Sequence, residues 1–185
     1  MNRRAVVVLL ASLIGFVSPS RADHLPDNLQ ARGAPETTLA AIHLTDRTKL
    51  ADVIKLYGQP TKVSGSEETD PNIASSYHYY WVRPGLNLHV LVERLPRKIP
   101  GWEYVSLVEV DSGTSRKIAR TGKGLKVGDS LKDLKRIYGY RFKVRDIPKL
   151  KIHDVMIQWH REEYSLVATL DRRNRITSLR LSAPE

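Results

Sequence analysis

Two short segments of the chain share one apolar pattern at an offset of 81 residues. Residues 50–58 read LADVIKLYG and residues 131–139 read LKDLKRIYG. Each segment ends in Tyr-Gly, and glycine is common just past the end of a helix. The apolar positions of the first segment follow the i, i+3, i+4, i+7 spacing of one helix face: Leu50, Val53, Ile54 and Tyr57. Leu131, Leu134 and Tyr138 repeat it, so the pattern predicts two short amphipathic helices.

Runs that alternate between apolar and polar residues follow each helix and predict strands. They cover residues 77–83, 86–93 and 105–110 in the first copy, and 155–161, 164–171 and 176–181 in the second. The elements recur in the same order, which indicates an internal repeat. We therefore predict an α+β fold of two tandem modules, each a short helix packed on an antiparallel sheet of three or four strands. The predicted boundaries are 23–41 for an N-terminal extension, 42–113 for the first module and 114–185 for the second.

The first 22 residues have the pattern of a secretory signal peptide. Arg3 and Arg4 precede an apolar run of 13 residues, and Ser20 and Ala22 supply small residues at the −3 and −1 positions of a cleavage site. The run is shorter than the roughly 20 residues that a membrane-spanning helix needs, which favours a cleaved signal peptide. The alternative is an anchor that is not cleaved. We expect a periplasmic or secreted protein, cleaved near Ala22.

The segment from Gly124 to Leu131 reads GLKVGDSL and leads to Tyr138-Gly139. This motif resembles the tandem modules of the β-lactamase-inhibitory-protein-like superfamily, which includes the SmpA/OmlA outer-membrane assembly lipoproteins. The first copy matches it through Tyr57-Gly58-Gln59-Pro60. The resemblance implies a non-enzymatic, exported protein-binding module whose sheet holds a partner. The chain contains no cysteine, so it has neither the lipobox of the lipoprotein branch nor the disulfides of the secreted inhibitors.

Strand alternation sorts residues onto two faces of the predicted sheet. The face opposite the helix in the first copy mixes aromatic, aliphatic and polar side chains: His78, Tyr80, Val82, Asn87, His89, Leu91, Val105, Leu107 and Glu109. Such a mixture suits a protein interface. The alternatives are that this face packs on the other copy or is a partly hydrated sheet. The candidate partner-binding residues are His78, Tyr80, His89, Leu91 and Leu107, together with Trp102 in the loop of residues 96–102. The alternative for Trp102 is that it caps the core of its own module.

The whole chain carries a formal net charge of +10. Removal of the signal peptide leaves +7, divided into −3 for residues 23–113 and +10 for residues 114–185. A basic surface of this kind could hold anionic envelope lipid or polymer, the alternative being a solvated face that aids solubility. An exported chain disfavours nucleic acid as the partner. The candidate anion-binding residues are Arg116, Lys117, Arg120, Lys123, Lys126, Lys132, Lys135 and Arg136.

No motif indicates an enzyme. Thr121-Gly122-Lys123-Gly124 lacks the first glycine and the final Ser or Thr of a phosphate-binding loop. His78, His89 and Glu109 leave a zinc site conceivable, but no usual ligand spacing is present, and we predict neither metal nor cofactor. Asp52 and Asp133 recur within the helices as solvent-facing residues. We therefore expect a non-enzymatic binding module with an unknown envelope protein as partner.

Overall fold

The structure is a computed structural model, and it describes residues 31, 33–45, 48–66, 74–94, 103–148, 152–159 and 164–183. The predicted signal peptide, and with it the predicted localisation, rests on residues outside these ranges. In the described part of the chain, no helix is long and apolar enough to cross a membrane.

Within these ranges the chain forms two helices and ten strands. The helices are α1 (Leu50–Tyr57) and α2 (Leu131–Tyr138). The strands are β1 (Thr38–Leu39), β2 (Ile42–His43), β3 (Lys62–Ser66), β4 (Ser75–Arg83), β5 (Leu86–Arg94), β6 (Glu103–Asp111), β7 (Lys143–Ile147), β8 (Ile152–Gln158), β9 (Ser165–Leu170) and β10 (Ile176–Ser182).

Eight of the strands form one antiparallel sheet in the order β3-β4-β5-β6-β10-β9-β8-β7. The first four strands come from the first half of the chain and the last four from the second. The two sets meet where β6 pairs with β10, for example Val110 opposite Leu179 and Val108 opposite Leu181. The order of strands therefore runs outward in both directions from this central pair.

The predicted α+β fold of two helix-on-sheet modules is wrong, because the described part of the protein is mostly β, with one eight-stranded sheet across both halves and a two-stranded sheet of β1 and β2. A separate sheet in each half would leave β6 and β10 as edge strands with unpaired backbone groups. Their pairing satisfies those groups and merges the two apolar faces into one. The buried residues accordingly form one core cluster that draws on both halves of the chain.

The helices cover only part of the core, and residues 36–44 complete it. We call this segment the N-terminal strap. Leu39, Ala40, Ile42 and Leu44 are at most 1% exposed. The Tyr57 hydroxyl of α1 donates to the Ala40 carbonyl, and the Tyr138 hydroxyl of α2 donates to Glu36. The strap therefore packs as part of the core, and its residues 36–41 belong to the predicted N-terminal extension.

Both helices begin at a capping box in which the aspartate three residues after the cap accepts a hydrogen bond from the cap's backbone. In α2 the cap is Ser130, and Asp133 accepts from its N–H at 3.0 Å. In α1 the cap is Lys49, and Asp52 accepts from its N–H at 3.1 Å. The recurring aspartates thus hold the starts of the helices, a role that solvent exposure alone does not describe.

One residue of β6 does not lie on the sheet face that the alternation predicts, because the strand contains a bulge. The pairing of β5 with β6 shifts between Leu91 and Val92, so Leu91 lies opposite Leu107 whereas Val92 lies opposite Val105. The extra residue reverses the alternation, as a bulge does. Val105 was predicted on the face opposite the helix, but it is fully buried in the core.

Candidate binding surfaces

We call the sheet face opposite the two helices the outer face. Five of the six predicted partner-binding residues lie together on it, because His78 pairs with Leu91, Tyr80 with His89, and Leu91 with Leu107. Trp102, the sixth, lies outside the described residues. The alternative that this face packs on the other copy is wrong, since the two halves join edge to edge through β6 and β10.

Three aromatic rings form a stack at the centre of this cluster. The Tyr80 and His89 rings are 4.7 Å apart at 13°, and the His78 and His89 rings are 5.3 Å apart at 15°. The His78 Nδ1 and His89 Nε2 atoms are 3.0 Å apart, so one nitrogen donates to the other. Lys62 Nζ lies 5.7 Å from the centre of the Tyr80 ring. The stack therefore presents a rigid aromatic surface.

The electrostatics of the stack favour the neutral form of His78. Burial lowers the pKa of His78, and the neighbouring His89 lowers it further. His89 is 8% exposed, and its Nδ1 lies 3.6 Å from Glu109 Oε2. Glu109 and His78 thus face opposite ring nitrogens of His89 and do not converge on one point. Among the described residues, no three His, Cys, Asp or Glu side chains are placed to hold a metal ion.

Three of the eight predicted anion-binding residues have partners within the protein, so the eight do not form one patch of unpaired charges. Arg116 forms an ion pair with Asp129 at 2.5 Å, and Arg136 forms one with Asp133 at 3.3 Å. Lys123 donates from Nζ to the Ala34 carbonyl at 2.6 Å. In the described part of the chain, no ion pair involves the remaining five: Lys117, Arg120, Lys132, Lys135 and the half-buried Lys126.

Lys117 and Arg120 line an open groove with a volume of about 360 Å³. Its other walls come from the strap, from Tyr57 at the end of α1, and from Ile118, Thr121, Gly122 and Gly124. The backbone of the strap is strained here, because Ala40 and Ala41 have φ values of 53° and 58°. Residues other than Gly, Asn and Asp rarely adopt such values. The groove therefore combines two cationic side chains with a strained turn, on the helix side of the sheet.

A buried polar cluster beside the groove was not predicted from the sequence. Glu36 is 3% exposed, and its carboxylate accepts from the Thr38 N–H at 3.0 Å, the Lys123 N–H at 3.1 Å and the Tyr138 hydroxyl at 2.6 Å. Burial and the hydrogen bond to Glu36 both raise the pKa of Tyr138. A Cβ on Gly122 would lie 2.9 Å from Glu36 Oε1, so this position needs glycine.

This cluster ties the strap to α2 and to residues 121–123. No pattern in the sequence marks Glu36, because two of its donors, Lys123 and Tyr138, come from distant segments. A fourth hydrogen bond, from the Thr37 N–H at 3.1 Å, completes a set that satisfies the carboxylate inside the protein, which favours a structural role over a binding one.

No protein-family model matches the chain, and no curated protein matches it. Among solved structures, the chain is similar to a DUF4309 family protein (YjgB) from Bacillus subtilis subsp. subtilis str. 168. The two are 17% identical with a TM-score of 0.45, and the match covers 80% of this chain and 88% of that chain. A likeness at this level carries no argument about function. The resemblance of residues 124–139 to the β-lactamase-inhibitory-protein-like superfamily stays a prediction.

Proposed function

We propose that the chain is an exported, non-enzymatic module that binds a protein of the cell envelope on its outer face. The observation that carries the proposal is the ring stack of His78, His89 and Tyr80 beside Leu91 and Leu107. Both helices and the strap pack on the other face of the sheet. On the outer face His78, Tyr80 and Leu91 are half-buried, whereas His89 and Leu107 are 8% and 9% exposed.

The chemistry of the stack suits a partner of mixed polarity. Stacked rings lose little conformational freedom when a partner binds, because their side chains are already held in place. Tyrosine supplies apolar area together with a hydroxyl, and aromatic residues of this kind are enriched at interface centres. The surrounding charges of Lys62, Glu109 and Arg180 lie in one row across the strands and would form the polar rim.

The test is a crosslinking pull-down from native envelope extract with the Tyr80→Ala/Leu91→Ala double variant. We expect recovery of the partner to fall at least tenfold, because central aromatic and aliphatic contacts carry most of the energy of an interface. The matched control is Leu56→Ala/Val63→Ala, which removes exposed apolar side chains from the helix side. Unchanged recovery with Tyr80→Ala/Leu91→Ala, in a protein with a native circular dichroism spectrum, would contradict the proposal.

A second candidate function is binding of anionic envelope lipid or polymer by the basic second half. The observation that favours it is the groove, where Lys117 and Arg120 stand free of acidic partners among the described residues. Binding of this kind weakens as salt screens the charges. Co-sedimentation with lipopolysaccharide should therefore fall steeply with rising salt, and binding that does not respond to salt would count against this candidate.

A further inference from the structure

The exposed apolar residues of the second half lie together at one edge of the molecule. Tyr140 is 78% exposed and Val144 is 49% exposed, whereas Phe142 between them is half-buried against the core. Val144 lies on the edge strand β7 opposite the buried Val155, so the Val144 side chain points to the helix side of the sheet. We call the surface formed by Lys132, Lys135, Tyr140, Phe142 and Val144 the α2–β7 edge.

Lysines are interleaved with these apolar groups. Lys135 Nζ lies 5.7 Å from the centre of the Tyr140 ring and 5.8 Å from that of Phe142. Lys132 is three residues earlier on α2 and shares the same side of the helix. In the described part of the chain, Lys132, Lys135 and the neighbouring Lys143 take part in no ion pair, so their charge is available to an external anion.

The corresponding surface of the first half keeps an exposed valine but lacks the aromatic residues and the two lysines on the helix. Val63 is 50% exposed and lies on the edge strand β3 opposite the buried Tyr79. At the offset of 81 residues, Gln59 stands where the second half has Tyr140, and Ala51 and Ile54 stand where it has Lys132 and Lys135. The combination of aromatic and basic side chains therefore belongs to the second half.

We propose that the α2–β7 edge docks on the surface of an anionic lipid bilayer, a step that rests on the second candidate function and names its ligand. Tyrosine and lysine suit the bilayer interface, because each has an apolar body and a polar end that stays in the headgroup region. An exposed valine adds apolar area beside them, and basic residues are attracted to the negative surface of such a membrane. Charge complementarity and exposed apolar area thus favour the same occupant.

The charge is tested by co-sedimentation with vesicles that contain phosphatidylglycerol and phosphatidylcholine, compared with vesicles of phosphatidylcholine alone. The protein used is residues 23–185, because the apolar run of residues 5–17 would itself bind lipid. Lys132→Gln/Lys135→Gln should lower the partition into the anionic vesicles roughly tenfold or more. The matched control is Lys49→Gln/Lys55→Gln, which changes the net charge equally at two exposed residues of the first half, beside and within α1; it should change the partition less than threefold.

The apolar contribution is tested with two substitutions, of which Tyr140→Gln introduces the residue that the first half has at this position. Tyr140→Gln should lower the partition roughly threefold or more, since membrane binding scales with the apolar area buried. Val144→Ser should lower the partition further than Val63→Ser does, although the two valines are equally exposed. Both substitutions lie on an exposed surface, so the thermal unfolding midpoint is expected to stay near that of the parent chain.

Three results would overturn the inference. One is equal loss of binding with the two charge variants, which would show that only the net charge matters. Another is equal binding to neutral and anionic vesicles. The third is binding of lipopolysaccharide or an acidic polypeptide with none of the vesicles, which would retain the second candidate function and exclude a bilayer as the ligand. Partner recovery through the outer face is independent of all three.

Discussion

The two halves of the chain build the same framework and use its surface differently. Each half supplies an eight-residue helix that ends in Tyr-Gly and then four antiparallel strands. Gly58 and Gly139 have φ values of 74° and 82°, and each donates its N–H to the carbonyl four residues earlier at 2.8 Å. A left-handed residue of this kind ends the helix and turns the chain towards the edge strand.

The halves differ at the positions that packing leaves free. Helix α1 carries one acidic and one basic residue, whereas α2 carries one acidic and three basic residues. The ring stack of the outer face belongs to the first half, and the α2–β7 edge belongs to the second. The comparison teaches that the backbone constrains the Tyr-Gly pairs and the buried faces. The exposed positions carry the features on which both proposed functions rest.

The largest expected effect comes from breaking the pair of strands that joins the halves. Leu179 is fully buried on β10 opposite Val110 of β6. Leu179→Ala should lower the free energy of unfolding by about 2–5 kcal/mol, because it leaves a cavity in the shared core. Denaturant unfolding followed by circular dichroism and by tryptophan fluorescence should still show one transition.

The exposed Leu56 serves as the control for that substitution. Leu56→Ala should change the free energy of unfolding by about 0.5 kcal/mol or less. Two separate transitions, with only one of them shifted by Leu179→Ala, would show that the halves fold independently, against the single core described here.

A smaller effect distinguishes the two tyrosines that hold the strap. Tyr138 donates to a buried carboxylate, whereas Tyr57 donates to a neutral carbonyl. Tyr138→Phe should cost about 1.5–3 kcal/mol of unfolding free energy, and Tyr57→Phe about 0.5–1.5 kcal/mol, because a hydrogen bond to a charged group contributes more. Chemical denaturation of both variants measures the difference. Equal losses would mean that Glu36 does not depend on the hydrogen bond from Tyr138.

The smallest effect concerns the two capping aspartates, whose contribution to stability is lost in acid. Hydrogen bonds from the Ser130 side chain and backbone lower the pKa of Asp133 from 3.8 to about 2. A carboxylate with a lowered pKa stabilises the fold above its unfolded-state pKa and loses that contribution as the pH falls towards its folded-state pKa. The stability difference between the parent chain and Asp133→Asn should therefore shrink between pH 4 and pH 2.

Asp52→Asn is the matched variant for this measurement, since Asp52 accepts from the Lys49 backbone alone in its capping box and pairs with Lys55 at 3.6 Å. Between pH 4 and pH 2, the difference in thermal unfolding midpoint between Asp52→Asn and the parent chain should change less than the difference for Asp133→Asn. A difference for Asp133→Asn that stays constant from pH 4 to pH 2 would contradict the pKa assignment.

Local patterns predicted local elements correctly. The apolar stripe of residues 50–57 and its copy at 131–138 coincide with the two helices, because a stripe needs only neighbouring turns to become a buried face. Alternation placed five predicted partner-binding residues on one face for the same reason. It failed at Val105, where a bulge inserts one residue into β6 and reverses the face. A bulge depends on the partner strand, which the alternation of one strand does not reveal.

The amino-acid sequence by itself determined the helices, most of the strands, the charge difference between the halves and the aromatic residues of the outer face. These follow from composition and from contacts between near neighbours in the chain. Only the tertiary structure decided that the two halves share one sheet, that the strap completes the core, and that Glu36 is buried among donors. Each of these depends on groups distant in sequence, whose backbone and side-chain hydrogen bonds find partners only when the whole chain has packed.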